Sequence, residues 1–184
     1  MPFSAVKLSV CVAVLLVMSG CQTLSPTECR IANWAQLGQQ DGNAGLDEKI
    51  ALHVEGCAKQ QVMVAPSSVA AYRTGYQQGL GYYCRKDRVL ELALTGKHNI
   101  DVCPLASQGA LRPYATVGAR VHETRSTLQD LTREQRQLEQ ERQQDNTTEV
   151  RRVEIRKRLR QLDQDLMDQR LDVARAESAL RQLH

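Results

Sequence analysis

The chain has 184 residues, with 24 Lys and Arg against 21 Asp and Glu, a formal net charge of +3. That length allows one small domain and an extension, and so slight a charge gives no electrostatic case for binding nucleic acid. One Trp, one Phe and five Tyr leave few large side chains for a core, so cross-links are expected to help hold it.

The elements begin with a targeting segment. Lys7 precedes an apolar run, Leu8 to Met18, that ends in Met18-Ser19-Gly20-Cys21. A basic start, an apolar stretch of about ten residues and small residues before a cut read as a secretory signal over residues 1–20. The run is shorter than the roughly 18 residues a membrane span needs. Ser-Gly before cysteine resembles the lipobox of bacterial lipoproteins, which implies cleavage before Cys21 and acylation of that residue. More than one acyl chain would anchor the protein stably. Residues 21–24 would form the lipidated amino terminus. Gln22, which is not Asp, implies sorting to the outer membrane by the same resemblance.

A domain is expected over residues 25–115, which hold nearly all the glycine and every cysteine outside the signal and the lipobox. With Cys11 and Cys21 set aside, Cys29, Cys57, Cys84 and Cys103 remain, an even number that reads as two disulfides in an exported protein. Ser25-Pro26-Thr27-Glu28 is a capping box with proline at the first helical position. A helix is expected from there to about Gln40, stopping at Asp41-Gly42. A second is expected from Leu46 to Gln61. Cys29 and Cys57 each lie 14 residues from Asn43, as facing positions of a helical hairpin would. Of three connectivities this favours Cys29–Cys57 and Cys84–Cys103. No Cys-x-x-Cys pair is present, so zinc is disfavoured.

A third helix is expected from Ser68 to Tyr83. Tyr72, Tyr76, Leu80 and Tyr83 share one face, with Gly75 and Gly79 along its flank. Trp34-x3-Gly38-x3-Gly42 repeats the arrangement. Helical glycine costs roughly 1 kcal/mol against alanine and is tolerated where a backbone or ring must come close. Tight helices around a tyrosine-rich core are therefore favoured over a ligand groove. Asp41 reads as a cap or turn residue, and His53 as a helix-surface residue.

Tyr72-x2-Gly75-Tyr76-x2-Gly79-Leu80-x2-Tyr83-Cys84, Gly96 and Val102-Cys103-Pro104 carry a family resemblance, together with Trp34-x3-Gly38-x2-Asp41-Gly42 and Cys57. Over about residues 29–118 they resemble a family of Gram-negative envelope lipoproteins catalogued only as a domain of unknown function. The resemblance implies an exported, helical, disulfide-linked lipoprotein and carries no activity. The chain departs from it around Gly96, with Ala93 and Asn99-Ile100 where the family has a glycine and an aromatic.

Residues 116–184 contain neither Pro nor Cys. Val117, Val121, Thr124, Leu128, Leu131, Gln135 and Leu138 step in fours and threes. Leu159, Leu166, Val173 and Leu180 recur every seven residues, with Leu162, Gln169, Ala176 and Leu183 between them. This is a coiled-coil register. The polar stretch Gln144 to Glu149 separates the runs, with Asn146 and Glu149 as a capping pair. An antiparallel hairpin roughly 45 Å long is expected. Gln135, Arg142 and Asp145 at seam positions predict a weakly packed tip. Arg151, Arg152, Arg156, Lys157, Arg158 and Arg160 should face Glu134, Glu139 and Glu141 as a solvated, partly paired surface.

The fold class expected is all-α: a disulfide-linked helical head and a coiled-coil arm. No nucleophile–base pair, metal set or phosphate loop is visible, so no enzyme, metal or cofactor is expected. The function expected is a non-enzymatic structural or interaction role at the periplasmic face of the outer membrane. Its partners would be membrane lipid, through Cys21, and another envelope protein. The alternative is a periplasmic module binding a small ligand or cell-wall fragment in the head, which a pocket with polar groups around Asp41 or His53 would favour.

Overall fold

The computed structural model describes residues 24–183; the signal segment and Cys21 lie outside them. The secondary structure of the described residues is all helical: α1 (Pro26–Ile31), α2 (Trp34–Asn43), α3 (Ile50–Lys59), α4 (Pro66–Tyr83), α5 (Lys86–Ala93), α6 (Leu105–Gln143) and α7 (Glu149–Arg181), with one tight helical turn at Ile100–Val102. Among them, no helix is long and apolar enough to cross a membrane.

The capping box forms as expected. Ser25 Oγ accepts from the Glu28 N–H at 3.3 Å, and the Ser25 N–H donates to Glu28 Oε2 at 2.7 Å. The helix it starts does not reach Gln40. It breaks at Ala32, and Asn33 caps a new helix by accepting from the Gln36 N–H at 3.1 Å. An asparagine offering its own acceptor competes with helix continuation. The break frees α1 to lie where Cys29 joins Cys57 on α3. Helix α2 then runs through Asp41-Gly42 to Asn43. A turn follows with Gly45 at φ +65°, and α3 starts at Ile50, four residues later than expected, and ends at Lys59, short of Gln61.

The expected hairpin of the first two long helices is also corrected. The most extensive helix contact in the head is α2 with α4. The two backbones touch because glycines face each other. A Cβ added at Gly38 would overlap the Tyr72 carbonyl oxygen and lie 2.8 Å from its carbon; one at Gly75 would overlap the Ala35 carbonyl oxygen and lie 2.7 Å from its carbon. Gly42 and Gly79 repeat the reciprocal contact one turn on. Around this crossing, Cys29, Trp34, Ile50, Cys57, Val62, Tyr72, Tyr76 and Leu80 form a buried cluster. A second cluster, Tyr83, Val89, Cys103, Leu111 and Ala115, joins the head to the start of α6. The disulfides are Cys29–Cys57 and Cys84–Cys103.

The compositional shift near residue 115 falls inside α6, not at a break. Pro113 lies within that helix, where it removes one backbone donor. At Gly118, an added Cβ would come within 2.6 Å of the Ala93 Cβ, so α5 crosses α6 closely there. Beyond this crossing α6 and α7 pair as an antiparallel coiled-coil hairpin. Leu131 and Leu138 pack on buried Ile155, Leu159 and Leu162. The reversal is capped by Thr148 rather than Asn146: Thr148 Oγ1 accepts from the Arg151 N–H at 3.3 Å, and Thr147 Oγ1 donates to the Glu141 carbonyl at 2.6 Å. Two seam amides have partners across the hairpin. Gln169 Nε2 donates to the Thr124 carbonyl at 2.8 Å, and Gln135 Nε2 to Asp163 Oδ1 at 3.1 Å.

Candidate functional site

The polar groups of the head converge on Asp41. This residue lies in the last turn and a half of α2 and is only 9% exposed. Tyr72, on the tyrosine face of α4, donates its hydroxyl to Asp41 Oδ2 at 2.6 Å. The Tyr72 oxygen in turn accepts the Lys49 backbone N–H at 3.1 Å. Lys49 Nζ and His53 Nε2 each stand 3.9 Å from the carboxylate, within Coulomb range but beyond hydrogen-bond length. His53 Nε2 is buried and has no hydrogen-bond partner among the described residues. Its ring sits edge-on to Trp34, at 6.3 Å, and to Tyr72, at 6.0 Å. Asp41 is therefore more than a cap or turn residue, and His53 is not a surface residue. Neither role was readable locally, because the partner Tyr72 is 31 positions away from Asp41.

Electrostatics fix the protonation of this cluster. Burial, then the bond to Asp41, pushes the Tyr72 phenol well above its usual range, so it stays a donor. Burial lowers the His53 pKa; the Asp41 carboxylate opposes this and Lys49 adds to it. The imidazole is thus held neutral near pH 7.

Tyr76 and Tyr83 act on the same stretch of chain. Tyr76 donates its hydroxyl to the Leu46 carbonyl at 2.7 Å. Tyr83 accepts the Asn99 N–H at 2.6 Å, and a Cβ on Gly45 would run into its ring. Residues 44–49 form no helix between α2 and α3, so their backbone groups need partners from elsewhere. Two tyrosine hydroxyls supply them. The arrangement is a clamp on a loop. Asp41 has its oxygens turned to a phenol, a lysine and an imidazole of its own chain.

Among the described residues no group of three or more His, Cys, Asp or Glu is placed to hold a metal ion. Two surface clefts among the described residues lie away from Asp41. One of about 500 Å³ lies at the junction of head and arm, lined by His98, Asp101, Arg112 and Glu123; another of about 290 Å³ lies beside Leu24, Ile31 and Leu37. The basic cluster of the arm is partly paired, as expected. Arg158 makes two bonds to Glu134, at 2.7 and 2.8 Å, and Arg151 two to Glu141, at 2.7 and 3.0 Å.

The helices that carry the Asp41 clamp and both glycine contacts fall in one stretch of sequence that has counterparts. Residues 33–120 match the protein family described as "Protein of unknown function (DUF2799)". The match begins at the Asn33 cap and ends just past Gly118, so it covers both glycine crossings and leaves out most of the hairpin. No curated protein and no solved structure matches the chain.

Proposed function

We propose that the chain is a lipoprotein anchored through acylated Cys21 to the outer membrane, facing the periplasm, with a structural or interaction role and no catalysis. The observation that carries this reading is the Asp41–Tyr72 bond. The polar groups that converge on Asp41 are turned inward and hold the protein's own loop. Two disulfides support an oxidising compartment, and Ser19-Gly20-Cys21 supports the anchor. The arm supplies the surface for an envelope protein partner. Val150, Val153, Met167 and Leu171 are exposed along α7, outside the seam that packs on α6.

The test is mass spectrometry of Cys21, with crosslinking from Val153 and Met167 in the native envelope. Acyl chains on Cys21 and one reproducible protein adduct are expected. An unmodified Cys21 in membrane-free protein, or a low-molecular-weight ligand retained by the head, would overturn the reading.

A further inference from the structure

We propose that the head seats directly on the phospholipid surface through the corner formed by α1 and the α3–α4 turn, with Ile31 and Met63 in the headgroup layer. The inference rests on the anchoring of Cys21 proposed above. Its first element is the length of the tether. The described chain begins at Leu24, and the three steps from Cys21 to Leu24 span at most roughly 11 Å when fully extended. A headgroup layer is roughly 5–8 Å thick on each side of the hydrocarbon. Leu24 therefore stands at most about 6 Å above the headgroup layer even with the tether fully extended.

The second element is what surrounds Leu24. Its carbonyl accepts a hydrogen bond from Gln60 Nε2 at 2.7 Å, and Cys29 is bonded to Cys57. The end of α3 and the turn after it are thus fixed to the same corner as α1. Gln61, at φ +58°, leads into a non-helical stretch in which burial alternates. Val62 is 7% exposed and Met63 88%, while Val64 packs back on the core. Met63 is held outward by this alternation. Ile31, at the end of α1 and beside the same cleft as Leu24, is 75% exposed. Exposed apolar residues occurring singly need no explanation. Two of them on segments tied to the residue nearest the lipid give this corner an apolar contact that matches the lipid interface. The two disulfide-linked segments would then approach the membrane as a single rigid foot.

Tryptophan at either position reads the environment, because Trp34 is buried and supplies a constant background. Lipidated full-length Met63→Trp and Ile31→Trp are placed in phosphatidylethanolamine–phosphatidylglycerol vesicles, with Met167→Trp on the arm as the control. Expected are a loss of iodide quenching and a gain of quenching by lipids brominated near the headgroup for the first two, and neither for the control. Acylated Cys21 with an iodide-accessible Trp at both 63 and 31 would overturn this inference and leave the anchoring reading standing. Cys21 without acyl chains would overturn both.

Discussion

Helix α2 meets α4 through bare backbone, with glycine against carbonyl on both sides of the crossing, whereas α6 meets α7 through leucines, with Arg–Glu pairs along the rim. The difference sets what each region tolerates. A side-chain seam can shift a rotamer or lose a methyl group and close up again. A backbone crossing has nothing soft to move. The head adds two disulfides and the hydrogen bonds of three tyrosine hydroxyls, each tying a distant segment, while the arm is held by contacts of one repeating kind. A stapled, interlocked head suits an element that must keep one shape at a surface. A zipped arm suits one that reaches.

The largest test of this contrast is Gly75→Val. Its Cβ meets the Ala35 carbonyl, and its branches add further volume, so the loss should exceed the usual 1–3 kcal/mol of overpacking and reach about 4 kcal/mol. Gly81, on the same helix, has open space where its Cβ would go. Gly81→Ala should instead stabilise the head by about 0.5–1 kcal/mol. All the aromatic residues of the described chain precede residue 115, so near-ultraviolet circular dichroism follows the head alone. Loss of that signal with far-ultraviolet helicity largely kept is the expected result for Gly75→Val. Equal melting of both variants would mean that the glycines do not interlock.

Next in size is the Cys29→Ser, Cys57→Ser pair. The bond closes a loop of 28 residues, worth about 3.5 kcal/mol in the loop-entropy model. Denaturant titration should show the head weakened by that amount and the arm unchanged. An arm destabilised to the same degree would show that the two regions unfold as one unit.

Leu162→Ala makes the converse cut. Leu162 is fully buried in the seam with Leu131, Leu138 and Ile155. Two slender helices can close partly over the gap, so the cost should lie near the low end for buried leucine, about 2 kcal/mol. It should appear in far-ultraviolet melting and leave the near-ultraviolet signal in place.

The same contrast explains what could be read in advance. The arm follows from its heptads, because a coiled coil is a local pattern repeated, while the cap moved from Asn146 to Thr148. In the head, the Gly and Tyr periodicities exposed a close helix crossing, and the cysteine spacing gave the right bonds. The partner of α2 was hidden. Symmetry about Asn43 pointed to α3, yet the glycines of α2 find their match in Gly75 and Gly79. The break at Ala32 depends on a single asparagine. The Asp41 cluster joins residues from three helices, and no short-range pattern signals it.

The smallest effect concerns His53, and its sign discriminates between two forces. Burial against Trp34 and Tyr72 disfavours the imidazolium, while Asp41 at 3.9 Å favours it and Lys49 opposes it. Burial is the strongest of these, so the folded pKa lies below the ordinary value of about 6.5. Between the two pKa values the unfolded chain binds more protons than the folded one, and stability therefore rises with pH. The contribution is complete above pH 6.5 and is lost as pH falls below it toward the folded pKa. The denaturation midpoint of the head should drop on going from pH 7.5 to pH 5, and His53→Gln should flatten part of that slope. Every other histidine is common to both proteins, so the difference between the two slopes isolates His53. A slope difference of opposite sign, with wild type gaining stability on acidification, would mean that a His53–Asp41 ion pair forms in the folded head. The Asp41 carboxylate would then outweigh the aromatic walls, and the clamp on residues 44–49 would tighten with acid instead of loosening.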